Sequence, residues 1–347
     1  MSKNPSILLH IGMPKTATTS LQQFFYQNKK ALKTLCNVHY GSSAGDKNHL
    51  KLAAYSAPDA TRDLLEAKYT VDVGLRASFK KKFQNELNSN LKQGYDVLYS
   101  NEHLASRVST PEHFELLKSL FEGIDYNVKI ILYLRRQDKY MFSSYSTWIK
   151  SGGVGKFRIK GYKQKKFDYL KLLDRWSENF GKENLIVRPF ERSMWPDGDI
   201  YKDFVQTIGV EWQAGFSPIE AQANKSLDRF QLAFLSKFNK RVDAFDGDKK
   251  NKLRGKIVQL LETQSSDDKI ELSKDETQEI LDYFAKANQQ ISEDYLHGET
   301  LFTSSLPKGD EVKVPQLTVD KAIDISAHLW IEQQKIINSK SIKKFFS

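Results

Sequence analysis

The chain is nearly devoid of cysteine: Cys36 stands alone among 347 residues. A single thiol closes no intramolecular disulfide and builds no cysteine-based zinc cluster. Nor does any stretch approach the ~18 apolar residues that a bilayer-spanning helix requires. The polar start, Met1 to Pro5, leads straight into the short run Ile7-Leu8-Leu9-His10-Ile11. A secretory signal instead carries about 7–15 apolar residues behind a basic start, so a soluble cytoplasmic protein is expected. Internal repeats and long low-complexity tracts are also missing. The seven histidines show no His-x-x-x-His spacing and no cluster with carboxylates, and no metal site is expected.

What is present is ample material for a core. Hydrophobic residues make up 39% and aromatics 12%, which excludes global disorder. Fifty-three Lys and Arg against 43 Asp and Glu leave a net charge of +10. Such a surplus suits an anionic partner: a nucleotide, nucleic acid, acidic glycan or membrane face. The charge is scattered through helical patterns and no motif reads RNA or DNA, so no nucleic-acid partner is expected.

The first half alternates short β-like runs with longer helical patterns. Strands are expected at residues 7–11, 95–99, 128–134 and 184–188. Helices are expected at 18–35, 79–92, 111–121, 139–150 and 167–180, and an irregular excursion at 40–60. This alternation predicts an α/β fold, a central parallel sheet flanked by helices. In such sheets ligands sit beyond the carboxyl ends of the strands, near a switch in strand order. After about residue 215 the strand signal stops, and helical patterns at 227–245, 253–262, 274–295 and 320–337 predict a helical C-terminal portion. The expected division is therefore an α/β core over 1–215 and a helical portion over 216–347, packed on the core or standing as a subdomain. Residues 151–166, rich in Gly and Lys, read as a basic loop. Trp148, Trp176, Trp195 and Trp330 are expected to pack in the core or between domains.

The most informative segment is His10-Ile-Gly-Met-Pro-Lys-Thr-Ala-Thr-Thr-Ser-Leu21. A buried strand ends at Gly12, a tight turn contains Pro14, and a helix opens near Thr18. Backbone N–H groups of the turn and of the first helical residues then converge, which makes an anion site. Lys15 adds a cation, and Thr16, Thr18, Thr19 and Ser20 add hydroxyls. The spacing is not that of a Walker A loop, Gly-x-x-x-x-Gly-Lys-Ser/Thr, which weakens a kinase reading. A second element, Ile130-Ile-Leu-Tyr-Leu-Arg135-Arg-Gln-Asp-Lys-Tyr-Met-Phe-Ser143, ends a strand with an arginine and places a serine eight positions on. Arginine's planar fork suits bidentate phosphate binding; Arg136 and Ser144 share the spacing. A third, Ser100-Asn-Glu102-His103, follows the second strand and supplies two groups able to take a proton.

The first segment resembles the 5′-phosphosulfate loop of sulfotransferases that use 3′-phosphoadenosine-5′-phosphosulfate (PAPS), usually Pro-Lys-Thr/Ser-Gly-Thr-Thr. Here Pro14-Lys15-Thr16-Ala17-Thr18-Thr19 departs from it only at Ala17. Arg135 and Ser143 are similar to the family's 3′-phosphate element, and Ser-x-Glu resembles its glutamate-base branch. The resemblance covers about residues 6–210. It implies the P-loop NTPase-like sulfotransferase fold, PAPS as donor with Pro14 to Ser20, Arg135 and Ser143 binding it, and no metal. It implies Lys15 and Glu102 as catalytic residues, with His103 in reserve as base, and a carbohydrate or lipid-linked acceptor. His49 is expected to touch the acceptor, Lys225 the nucleotide, and Arg188 and Glu191 to form a structural pair. The oligomeric state stays open. A P-loop kinase and a non-catalytic binder of polyanions are the rival classes.

Overall fold

The computed structural model describes residues 4–61, 72–217, 219, 226–247, 249–307 and 309–345, with side chains described through residue 338. The described residues divide into two compact units. The first comprises Met1–Arg136, Lys165–Glu220 and Phe284–Ser304; the second comprises Gln137–Gln164, Ala221–Tyr283 and Ser305–Ser347.

Five strands form the sheet of the first unit: β1 (Ile7–His10), β2 (Val38–Tyr40), β3 (Asp96–Ser100), β4 (Val128–Leu134) and β5 (Leu185–Pro189). All pair in parallel, in the order β2-β3-β1-β4-β5. The four residues of β1 are buried, as a central strand covered on both faces must be. After β1 the chain runs to the far edge, returns through β3, then crosses β1 to β4. The switch in strand order therefore falls at the carboxyl end of β1.

The helices around this sheet are α1 (Thr18–Gln27), α2 (Lys29–Cys36), α3 (Leu50–Ser56), α4 (Val73–Lys92), α5 (His103–Arg107) and α6 (Pro111–Ser119). The second unit then carries α7 (Gln137–Lys150). The first resumes with α8 (Tyr169–Phe180) and α9 (Ile200–Thr207). One face of the sheet packs Leu8, Leu98, Ile131 and Tyr133 against Leu21, Phe24 and Phe25 of α1 and Phe204 and Val205 of α9. These positions recur at i, i+3 and i+4 on α1, the helical spacing that drives such burial.

The pattern expected at 18–35 as one helix is two, broken at Asn28. Its side chain bonds the Phe24 carbonyl at 3.0 Å and accepts the Ser217 N–H at 2.7 Å. A polar residue that recruits outside partners ends the helix there. β2 has only three residues, too short for its periodicity to show. The excursion at 40–60 contains α3, and its first part is pinned by one carboxylate. Glu86 of α4 accepts from the Ser42 and Ser43 N–H groups at 2.8 and 3.0 Å, from both their hydroxyls, and from Tyr99 at 2.7 Å. His39 lies 3.2 Å away. Gly41 is required beside this cradle, because a Cβ there would lie 2.1 Å from the Tyr99 ring.

In the second unit, α10 (Arg229–Phe238), α11 (Lys252–Thr263), part of α12 (Lys274–Tyr295) and α13 (Val319–Phe345) join α7. Its core gathers Tyr145, Ile149, Leu232, Leu235, Leu261 and Leu329. Buried Arg254 donates to the Lys150 carbonyl at 2.8 Å and to Asn239 Oδ1 at 2.9 Å. The helix expected at 227–245 stops at Phe238, and a small antiparallel hairpin follows, β6 (Phe245–Asp246) with β7 (Lys249–Lys250). Gly247, with φ of 57°, supplies the left-handed backbone that the turn needs. Trp176 is buried as expected, but Trp148 and Trp330 are 47% and 64% exposed, against expectation.

Burial alone would raise the Glu86 pKa, yet bonds from His39, Ser43 and Tyr99 hold it well below the usual carboxylate range. A depressed folded-state pKa stabilises above the unfolded value and is lost as pH falls through the folded one. Glu86→Gln is expected to cost about 2–3 kcal/mol at neutral pH, the range for charge-assisted hydrogen bonds. In urea titrations the gap from the parent protein should narrow once pH drops below about 4.3. A gap independent of pH would remove the carboxylate's charge from this account.

Candidate functional site

Three connections leave the carboxyl ends of β1, β3 and β4 on one side of the sheet, and each carries residues singled out by the sequence. The turn after β1 is sharply coiled. Gly12, Lys15 and Ala17 take φ values of 56°, 74° and 57°. Gly12 is needed twice over, because a Cβ would lie 2.7 Å from Thr18 Cγ2 and 3.2 Å from Glu102 Cα. Thr16 is buried and donates its hydroxyl to the Met13 carbonyl at 2.7 Å, closing the turn. The first helical bond of α1 is Leu21 N–H to the Ala17 carbonyl, 3.0 Å. The N–H groups of Thr18, Thr19 and Ser20 precede it and have no carbonyl four residues back within the helix. With the positive end of the helix dipole, they make an end whose chemistry suits an anion.

The side chains around that end differ from a uniform row of donors. Thr16 was expected to present its hydroxyl, but that proton is spent inside the turn. Thr18 is buried, with its methyl toward Gly12. Thr19 is exposed, while Pro14, Lys15, Ala17 and Ser20 are half-buried. Ala17 holds the left-handed conformation, which glycine adopts more readily than alanine.

Arg135, immediately after β4, ties the second element to the first. Its guanidinium donates to the Lys15 carbonyl at 2.9 Å and lies 5.6 Å from the Phe190 ring. Tyr169 donates to the Arg135 carbonyl at 2.6 Å. Arg136, which shares the serine spacing, points elsewhere. It is 2% exposed and donates to Ser304 Oγ at 2.9 Å. Ser143 lies half-buried on α7 in the second unit, whereas Arg135 belongs to the first. Their pairing stays an expectation of spacing.

Glu102 and His103 follow β3. Asn101 N–H bonds the His10 carbonyl at 3.0 Å, extending the β1–β3 ladder by one residue. Asn101 Oδ1 then accepts the His103 N–H at 3.0 Å, which starts α5. Glu102 Oε2 accepts from Gln22 Nε2 at 3.0 Å, and the Glu102 backbone faces Gly12. His103 Nδ1 instead accepts from Arg107 Nε at 3.2 Å. Of the two groups, Glu102 is the one held against α1 and the turn. Gln22 was missed in the sequence: it is one of two glutamines between Leu21 and Phe24, and only the fold shows that it is the buried one. His10 was also missed. It is fully buried, its Nδ1 lies 2.8 Å from Ser100 Oγ, and burial lowers its pKa to about 3.

His49 is not an acceptor contact. It is fully buried, its Nδ1 accepts the Ser100 N–H at 2.7 Å, and its Nε2 donates to the Gly41 carbonyl at 2.8 Å. Burial brings its pKa down to about 4, and the neutral ring is a structural strut. Arg188 and Glu191 do not pair with each other. Arg188 pairs with Asp203, and Glu191 accepts from the Thr303 and Ser304 N–H groups at 2.7 and 2.9 Å. Lys225 lies outside the described residues. Among the described residues no three His, Cys, Asp or Glu side chains gather as a metal ion requires, and no helix is long and apolar enough to cross a membrane.

No protein-family model matches the chain. An uncharacterised protein of Archaeoglobus fulgidus is 26% identical over 203 residues, 56% of this chain and 55% of its own length. The match thus spans about half the length of that relative. A sulfotransferase crystal structure from Alicyclobacillus acidocaldarius aligns over 67% of this chain and 92% of that one, at 15% identity and a TM-score of 0.36.

The backbone at position 17 yields a direct test. An L-residue in the left-handed region costs roughly 1–2 kcal/mol, which glycine avoids at a smaller entropic cost. Ala17→Gly is expected to stabilise the protein by up to about 1 kcal/mol, seen as a raised melting temperature. Gly12→Ala should lower it sharply, since φ and space are both against a side chain. A destabilised Ala17→Gly variant would show that the turn is not strained there.

Proposed function

We propose that the chain is a PAPS-dependent sulfotransferase that passes a sulfuryl group to a hydroxyl of a carbohydrate or lipid-linked acceptor in the cytoplasm. The observation that carries this reading is the 2.9 Å bond from Arg135 to the Lys15 carbonyl. It joins two phosphate-type elements, 120 residues apart in sequence, at one sheet edge. Glu102 stands on the third connection at that edge, against Gly12.

In this reading the N–H groups of residues 15–20 hold the 5′-phosphosulfate. Lys15 neutralises charge on the bridging oxygen as the sulfur–oxygen bond breaks, which is electrostatic stabilisation of the transition state. The Arg135 guanidinium takes the 3′-phosphate and so selects this nucleotide over ATP. Glu102 receives the acceptor's proton as the acceptor oxygen bonds to sulfur, and the bisphosphate nucleotide leaves. His103 is the second choice for that proton. Phosphoryl transfer is the physical analogue, positioning joined to charge neutralisation.

Calorimetry without magnesium tests the donor. The protein should bind 3′-phosphoadenosine-5′-phosphate at micromolar concentrations and ATP far more weakly. Arg135→Ala should lose roughly 10–100-fold in bisphosphate affinity, the worth of one or two charge-assisted bonds. A preference for ATP that requires magnesium would replace this reading with a kinase. In turnover, Lys15→Ala should lower kcat by ~10²–10³-fold. Glu102→Gln should do likewise, whereas a loss confined to His103→Ala would move the base by one residue.

A further inference from the structure

A second surface, within the second unit, has a chemistry that the nucleotide site does not use. Residues 237–256 carry eight Lys or Arg and three Asp in the sequence, a net +5 (8 − 3) of the chain's +10. The same stretch exposes large apolar groups. Phe245 on β6 is 53% exposed and Leu253 in the first turn of α11 is 73% exposed. Nearby, Trp148 near the end of α7 is 47% exposed and Val154 is 40% exposed.

The segments that carry these residues adjoin one another. Trp148 lies over Gly153 and Gly155, whose added Cβ atoms would meet its ring at 2.5 and 2.9 Å. Gly152 backs onto Ala244, where a Cβ would lie 2.6 Å from the Ala244 Cβ. Ala244 leads directly into Phe245, which pairs with Lys250 across the hairpin. Asn251 then returns its N–H to the Ala244 carbonyl at 2.9 Å and caps α11 by accepting the Arg254 N–H at 3.0 Å. That cap fixes Lys252 and Leu253 beside the hairpin. Lys249, Lys250 and Lys252 are all exposed.

We infer that this patch seats the protein on an anionic lipid surface, with Phe245, Leu253 and Trp148 entering the headgroup boundary and the hairpin lysines meeting lipid phosphates. A monomeric soluble surface rarely leaves such apolar groups together without use. Basic and aromatic residues side by side are the composition of interfacial membrane contacts. A polyanion such as nucleic acid or an acidic glycan would need the lysines but would leave Phe245 and Leu253 in water. The lipid surface satisfies both sets at once. No transmembrane element is involved, and the inference stands apart from the donor site.

Co-sedimentation of the full chain with vesicles tests it. Binding is expected to phosphatidylglycerol-containing vesicles and not to pure phosphatidylcholine, and should weaken with salt. Exchanging Lys249 and Lys250 together for Gln should weaken binding roughly 30-fold, from about 1 kcal/mol per lysine near an anionic surface. Phe245→Ser should weaken it roughly tenfold or more while leaving its salt dependence unchanged. Both sites are exposed, so thermal melts should match the parent. The inference fails if vesicles do not bind. It also fails if heparin or an oligonucleotide binds equally with Phe245→Ser indifferent. It fails again if the patch holds a second copy, seen as a dimer in solution that Phe245→Ser dissolves.

Discussion

The candidate site rests on the turn after β1, where Gly12, Lys15 and Ala17 adopt left-handed backbone angles within six residues. That coiling brings the chain from the strand into α1 with its N–H groups turned outward. It also turns the Lys15 carbonyl toward the end of β4, where Arg135 takes it. A turn of this kind is stable only if its surroundings over-determine it. Here they do so through the Thr16 hydroxyl on the Met13 carbonyl, the Thr18 methyl against Gly12, and the Glu102 backbone packed on the same glycine.

Much of this was legible in advance, for physical reasons. Continuous apolar runs such as Ile130 to Leu134 mark strands buried on both faces, and their ends place Arg135, Glu102 and the Gly12 turn on one side. What escaped notice was set by contacts distant in sequence. The break at Asn28 depends on Ser217, and the three-residue β2 has no periodicity of its own. His49 looked like a surface contact because its position in a polar stretch says nothing of the Gly41 carbonyl and Ser100 N–H that enclose it. Thr16 looked like a ligand for the same reason; a hydroxyl in a tight turn is as useful to the turn as to an anion. The second unit draws on three separate segments, and a linear reading finds only the last change of pattern.

The two units spend charge in different ways. In the first, buried and half-buried charges are matched individually: Glu86 by serines and tyrosine, Arg188 by Asp203, and Glu191 by the backbone of residues 303–304. In the second, Arg254 is enclosed by carbonyls and Asn239, yet the lysines of the neighbouring hairpin face water. A net charge of +10 is therefore not one property spread over the chain, since half of it belongs to a 20-residue stretch, 237–256.

The borders of the parallel sheet also matter. One border is β2, with three residues. The other is β5, which ends in Pro189, a residue with no N–H to give. A sheet bounded in this way offers a passing strand few free donors and acceptors, so edge-to-edge growth into larger β-assemblies has little template. A second copy of this chain therefore finds little to pair with along the borders of this sheet.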